Sequence, residues 1–101
     1  MLIEKLPEET VLIQLAEEAA ELAQAAIKMI RALNGDTPVS VDDAARNLVE
    51  EVADVLVCTD VLMGDAARKR MRAIRKYKRK RWEERLEQKA KNLCGASGDC
   101  E

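Results

Sequence analysis

LAEEAAEL, residues 15–22, and LVEEVADVL, residues 48–56, decide how this chain folds and what it can do. Each sets carboxylates into an apolar helical pattern. At about 100° per residue, Val11, Leu15, Leu22 and Met29 share one narrow stripe, Glu18 falls on it, and Glu21 lies roughly 60° to one side. In the second segment Leu48, Val52, Val55, Thr59 and Leu62 make the stripe. Glu51 lies just beside it and Asp54 further out on the same flank. A carboxylate on an apolar stripe is costly unless something compensates it. Glu18, Glu21, Glu51 and Asp54 repel one another unless a cation sits between them. Hard divalent ions such as Mg²⁺ take carboxylate oxygens and retain waters and substrate phosphates. Spacing alone leaves three readings open: a metal site, an ordinary glutamate-rich solvated face, and a buried ion-pair network.

Outward from these segments the pattern predicts three main helices. The first starts near Pro7, with Glu8 and Glu9 suited to the positive end of a helix dipole, and runs to Leu33. Its apolar arc includes Leu12, Ala19, Ala26 and Ile30 and is wide enough for more than one partner helix. Asn34, Gly35 and Asp36 stop it, with Gly35 suited to a left-handed cap. Ser40 is the expected N-cap of the second helix, residues 41–63, with Asp43 closing a capping box. The connector lets the two helices pack as an antiparallel αα-hairpin, which brings the two acidic segments to comparable depth. Gly64 ends the second helix and Asp65 caps a third beginning at Ala66. Residues 1–93 read as one helical domain and residues 94–101 as a disordered tail without periodicity.

Composition narrows the function classes. A chain of 101 residues with no Phe, one Trp and one Tyr has a thin, aliphatic and alanine-rich core. An all-α, antiparallel bundle of three main helices, completed by pairing into a homodimer or homotetramer, is the expected architecture. With no histidine, imidazole bases, Ser-His-Asp systems and most zinc sites are excluded. Any catalysis must therefore use carboxylates and a metal. Cys58, Cys94 and Cys100 have no zinc-like spacing, and Cys58 reads as a small buried hydrophobe. No secretory leader or membrane-length apolar run is read, so a soluble cytoplasmic protein is the expectation.

The net charge of -2 hides an asymmetry. Residues 1–65 hold fourteen acids and four bases, whereas residues 66–82 hold ten bases and no acid. Along the third helix Met71, Ile74, Trp82, Leu86 and Leu93 form a sparse apolar face among Arg and Lys. These bases read as a solvated face, as phosphate ligands, or as a nucleic-acid or membrane contact. The whole chain is not a nucleic-acid binder by charge, and no aromatic interleaving or zinc pattern supports that reading.

Glu17-Glu18-Ala19-Ala20-Glu21 and Glu51-Val52-Ala53-Asp54 together resemble the EExxE and ExxD motifs of the MazG-like, all-α nucleoside triphosphate pyrophosphohydrolase superfamily. The likeness is to its small single-domain bacterial and phage members and spans about residues 9–64. It implies a helical dimer or tetramer that binds Mg²⁺ through the motif carboxylates. It also implies cleavage of a nucleoside triphosphate to the monophosphate and pyrophosphate. By position, Glu18, Glu21, Glu51 and Asp54 match the metal-binding carboxylates, and Glu17 fits the first motif letter. The connector is long for the family, and Val61 stands near a position that is polar in larger members, which bears on substrate choice. The third helix carries a Lys78-x-x-Arg81-Trp82-x-x-Arg85 pattern that is not assigned to a family motif.

The chemistry expected from this likeness places Glu18 and Glu51 as catalytic carboxylates, with Glu18 as the base because it lies deepest in the apolar stripe. Glu17 and Glu50 are accessory candidates. Lys78, Arg81 and Arg85, with Lys28 as a weaker candidate, are the expected phosphate ligands. The competing expectation is a non-enzymatic helical module that binds protein or nucleic acid through residues 68–81. A third is a degenerate relative that binds nucleotides without cutting them.

Overall fold

The computed structural model describes residues 3–97, with side chains through residue 94. A short 3₁₀ turn at Ile3–Lys5 precedes helices α1 (Glu8–Leu33), α2 (Val41–Leu62) and α3 (Asp65–Ser97), and no strand occurs among the described residues. None of these helices is long and apolar enough to cross a membrane. The chain divides at Gly64 into two units: the α1–α2 hairpin with its lead, and α3.

The hairpin is held at its turn by local chemistry. Gly35 takes φ 72°, the left-handed conformation that a Cβ disfavours. Gly35 N–H then donates to the carbonyl of Ala32 (3.1 Å) and Asp36 N–H to that of Arg31 (2.9 Å). This pair of bonds is the Schellman arrangement, and it satisfies carbonyls that the helix end leaves open. Across the connector, Ser40 Oγ accepts from Asp43 N–H at 3.1 Å and caps α2 as expected. The carboxylate of Asp43 does not close a capping box; it turns to Arg46 at 3.8 Å. Nothing lies within 4 Å of a Cβ built on Gly35, so its replacement meets conformational strain alone. Gly35→Ala is expected to lower stability by about 1–2 kcal/mol in chemical denaturation, and Gly35→Asn by less.

α1 and α2 pack along a narrow seam. On α1 it is Val11, Leu15, Glu18, Leu22, Ala25, Met29 and Ala32; on α2 it is Ala44, Leu48, Glu51, Val55, Cys58 and Leu62. Each step is alternately three or four residues, the 3.5-residue repeat of two helices facing each other. Val11 and Gln14 border the same small hollow as Val57, Cys58 and Val61, so the start of α1 lies by the end of α2 and the pair is antiparallel. The seam corrects the stripes drawn from a 3.6-residue period. Ala25 and Ala32 are buried, whereas Ala19 and Ala26 are exposed. Val52 is 40% exposed, and Glu51, not Val52, occupies the seam. Alanine at the contact lets the two backbones approach, and a single partner helix needs only a narrow seam. Ile13, Ile27, Ile30 and Leu33 on α1 and Val49, Leu56 and Val57 on α2 therefore remain exposed.

α3 is about 50 Å long by helical rise. Neighbours four apart support it: Arg79 Nε lies 3.3 Å from Glu83 Oε1, and Gln88 Nε2 donates to Asn92 Oδ1 at 3.1 Å. The Arg81 guanidinium sits 5.9 Å from the Tyr77 ring centroid. Residues 94–97, expected in the tail, continue α3; residues 98–101 lie outside the described part.

Candidate metal centre

The hairpin carries its two seam carboxylates, Glu18 and Glu51, at mid-length on facing helices. Glu21 is one turn along from Glu18 and Asp54 one turn along from Glu51, since three residues is close to a helical turn. Antiparallel packing turns these two short spacings into one cluster. A ligand oxygen from each of Glu18, Glu21, Glu51 and Asp54 lies within 4.8 Å of the others. Glu18 and Glu51 are half-buried; Glu21 and Asp54 are exposed. The cluster is thus open on one side and backed by the seam on the other.

Two oxygens of these side chains are orphans. Glu18 Oε2 and Glu51 Oε2 are buried and have no hydrogen-bond partner. A buried acceptor without a donor costs free energy, and a buried carboxylate oxygen costs more. The ion pairs Arg46–Asp43 and Arg79–Glu83 lie away from these four acids. Four carboxylates drawn this close repel one another, so the cluster calls for positive charge. Oxygens on opposite sides of a Mg²⁺ ion are about 4 Å apart, so a small closure of the four would suit one hard cation. The donor set is all oxygen, which fits Mg²⁺, Mn²⁺ or Ca²⁺ and not a soft metal.

Electrostatics agree with the geometry. A hydrogen bond from Gln14 pulls the Glu18 carboxyl down, but desolvation and the charges of Glu21 and Asp54 outweigh it. The net result lies above the usual carboxylate range. Burial pushes the Cys58 thiol up, and the charges of Glu18 and Asp54 add to the push. Cys58 stays a neutral thiol in the seam, not a thiolate ligand.

The other expected site residues are placed as follows. Glu17 and Glu50 are exposed and stand outside the cluster. Lys28 is exposed on the same flank of α1 as Glu21, about 10 Å further along the axis. Lys78, Arg81 and Arg85 are exposed on α3 and border one shallow basic surface with Tyr77 and Trp82. Two neighbours of the cluster carried no signal in the stripe pattern. Gln14 Nε2 donates to Glu18 Oε1 at 2.7 Å, a four-residue spacing that a scan for side-chain pairs can find. Cys58 reaches the cluster only through the pairing of the helices. Gln14 also borders a hollow of about 150 Å³ whose apolar walls include Ile3, Leu6, Val57 and Val61, with Thr10 at its edge.

Comparison of the chain with protein-family models, with curated proteins and with solved structures found no match.

Proposed function

We propose that this chain is a Mg²⁺-dependent nucleoside triphosphate pyrophosphohydrolase. The observation that carries the proposal is the convergence of Glu18, Glu21, Glu51 and Asp54, with two buried oxygens left unpartnered. The EExxE and ExxD spacing, which resembles the MazG-like motifs, points the same way. In this reading the four carboxylates hold Mg²⁺ directly or through water. Bound there, Mg²⁺ offsets the charge of the triphosphate and polarises its α-phosphoryl oxygens.

The chain's own groups then have defined tasks. Glu18 takes the proton of the attacking water. Its raised pKa brings it closer to the range in which a base works at neutral pH. Glu51, the facing seam carboxylate, orients that water. The water oxygen bonds to the α phosphorus, the bond from that phosphorus to the bridging oxygen breaks, and pyrophosphate leaves. Lys28, exposed on the same flank of α1 as Glu21, is assigned to the β and γ phosphates. The hollow beside Gln14 is the proposed seat of the base; at about 150 Å³ it has room for a single ring and not for a whole nucleoside. The exposed rows Ile13, Ile27 and Ile30 on α1 and Val49 and Leu56 on α2 are the proposed contacts of a homodimer or homotetramer.

The deciding experiment offers the purified protein a panel of common and damaged nucleoside triphosphates with Mg²⁺. Pyrophosphate, not inorganic phosphate, is the expected product from at least one. Silence across the panel sinks the proposal. One observation favours a second reading: on α3 an exposed stripe of Ile74, Trp82 and Leu86 runs among Arg70, Arg75 and Arg79. If α3 is instead the business end of a protein- or nucleic-acid-binding module, binding is salt-sensitive and indifferent to loss of the carboxylates.

A further inference from the structure

We infer that Gln14 is a positioning residue that makes Glu18 a one-oxygen ligand and so biases the cluster toward Mg²⁺ over Ca²⁺, an inference that rests on the metal reading proposed above. Two observations on the same carboxylate carry it. Gln14 Nε2 occupies Glu18 Oε1 with a 2.7 Å hydrogen bond from one turn earlier on α1. Glu18 Oε2, the other oxygen, is buried and has no partner. The amide therefore divides the carboxylate: Oε2 is left for a cation, while Oε1, held along α1 by Gln14, keeps a second lone pair for the proton of the attacking water.

That division has a chemical consequence. Mg²⁺ demands near-octahedral geometry, keeps several waters and takes single oxygens from its carboxylates; Ca²⁺ accepts six to eight oxygens and is often gripped by both oxygens of one carboxylate. A Glu18 held by Gln14 cannot offer both oxygens without giving up a short hydrogen bond. A carboxylate free to turn can. Partners that orient ligands in this way commonly change metal affinity by about 10- to 100-fold when removed. Gln14 itself is exposed, and an exposed pair four apart contributes little to the fold.

The test is calorimetric titration of Mg²⁺ and, separately, Ca²⁺ into the wild-type chain, Gln14→Ala and Gln14→Lys, with no nucleotide present. In Gln14→Ala, Mg²⁺ binding is expected to weaken about tenfold, and Ca²⁺ binding to weaken much less, so the preference between them falls. Metal-free Gln14→Ala is expected to melt within about 4 °C of wild type, as loss of one exposed pair implies. Gln14→Lys keeps a donor within reach of Glu18 Oε1 and is expected to restore the preference. An unchanged Mg²⁺-to-Ca²⁺ ratio in Gln14→Ala, or a large fall in its metal-free melting temperature, overturns the role given to Gln14 while the metal reading stands. A wild-type chain that binds neither ion overturns both.

Discussion

Glu51→Gln is expected to cut pyrophosphate release by about 100- to 1000-fold, the usual cost of removing one charge-stabilising group from a reacting centre. The helices are expected to survive the change. Glutamine has the shape of glutamate, and the seam position it fills is only half-buried. The variant also removes one of four mutually repelling carboxylates, so the metal-free form is expected to melt higher than wild type. Two readouts therefore move in opposite directions, which separates loss of a ligand from loss of the fold. Glu50→Gln is the matched control. Glu50 is the preceding residue, but it is exposed and outside the cluster, so its variant should retain activity. Full activity in Glu51→Gln, or equal loss in Glu50→Gln, contradicts the proposed site.

The second large effect is on stability. A ligand that binds only the folded state stabilises it by mass action, about 2.7 kcal/mol at a hundredfold excess over its Kd. For a domain of this size that is a rise in melting temperature of roughly 10–20 °C. Mg²⁺ is expected to produce it near neutral pH, and Glu18→Gln or Glu51→Gln to remove most of it. The pH dependence follows from Glu18, whose folded-state carboxyl lies above its ordinary value. Such a group contributes stability that is fully present below the unfolded pKa of about 4.5 and is lost as pH rises through the folded value. Relative to Glu18→Gln, Glu18 therefore costs the metal-free fold little in acid, where it is protonated, and opposes it at neutral pH. The ion acts in the other sense, since its ligands must be ionised. Melting curves with and without Mg²⁺ should separate most at neutral pH and converge on acidification. A constant gap across that range would contradict a carboxylate site.

Much of the helical architecture is legible along the chain because its signals are local. Gly35 and Ser40 mark the helix ends through backbone conformation and a single side-chain bond, neither of which needs a distant partner. The two acidic motifs are local as well: three residues of helix put Glu18 beside Glu21, and Glu51 beside Asp54. What the pattern misjudged is the depth of Glu51. A 3.6-residue stripe admits Val52 and sets Glu51 at its margin, whereas the facing helix selects every third and fourth residue and takes Glu51 into the seam. That difference matters to the site, because burial is what leaves Glu51 Oε2 without a donor. The basic residues Lys78, Arg81 and Arg85 stand at the other extreme. Their helical spacing is plain, yet charge on an exposed helix has the same appearance whether it meets phosphate or water.

Residue order alone establishes three helices, the turn between the first two and a pair of carboxylates on each. Those properties depend on interactions spanning at most a few residues. The meeting of the two carboxylate pairs, the unsatisfied oxygens between them and the contact of Cys58 with their charge arise from packing residues some 30 apart in the chain, where seam period and helix separation set the distances. A local pattern can place a carboxylate on a face, but only the opposing helix can bury it and bring its oxygen within reach of another.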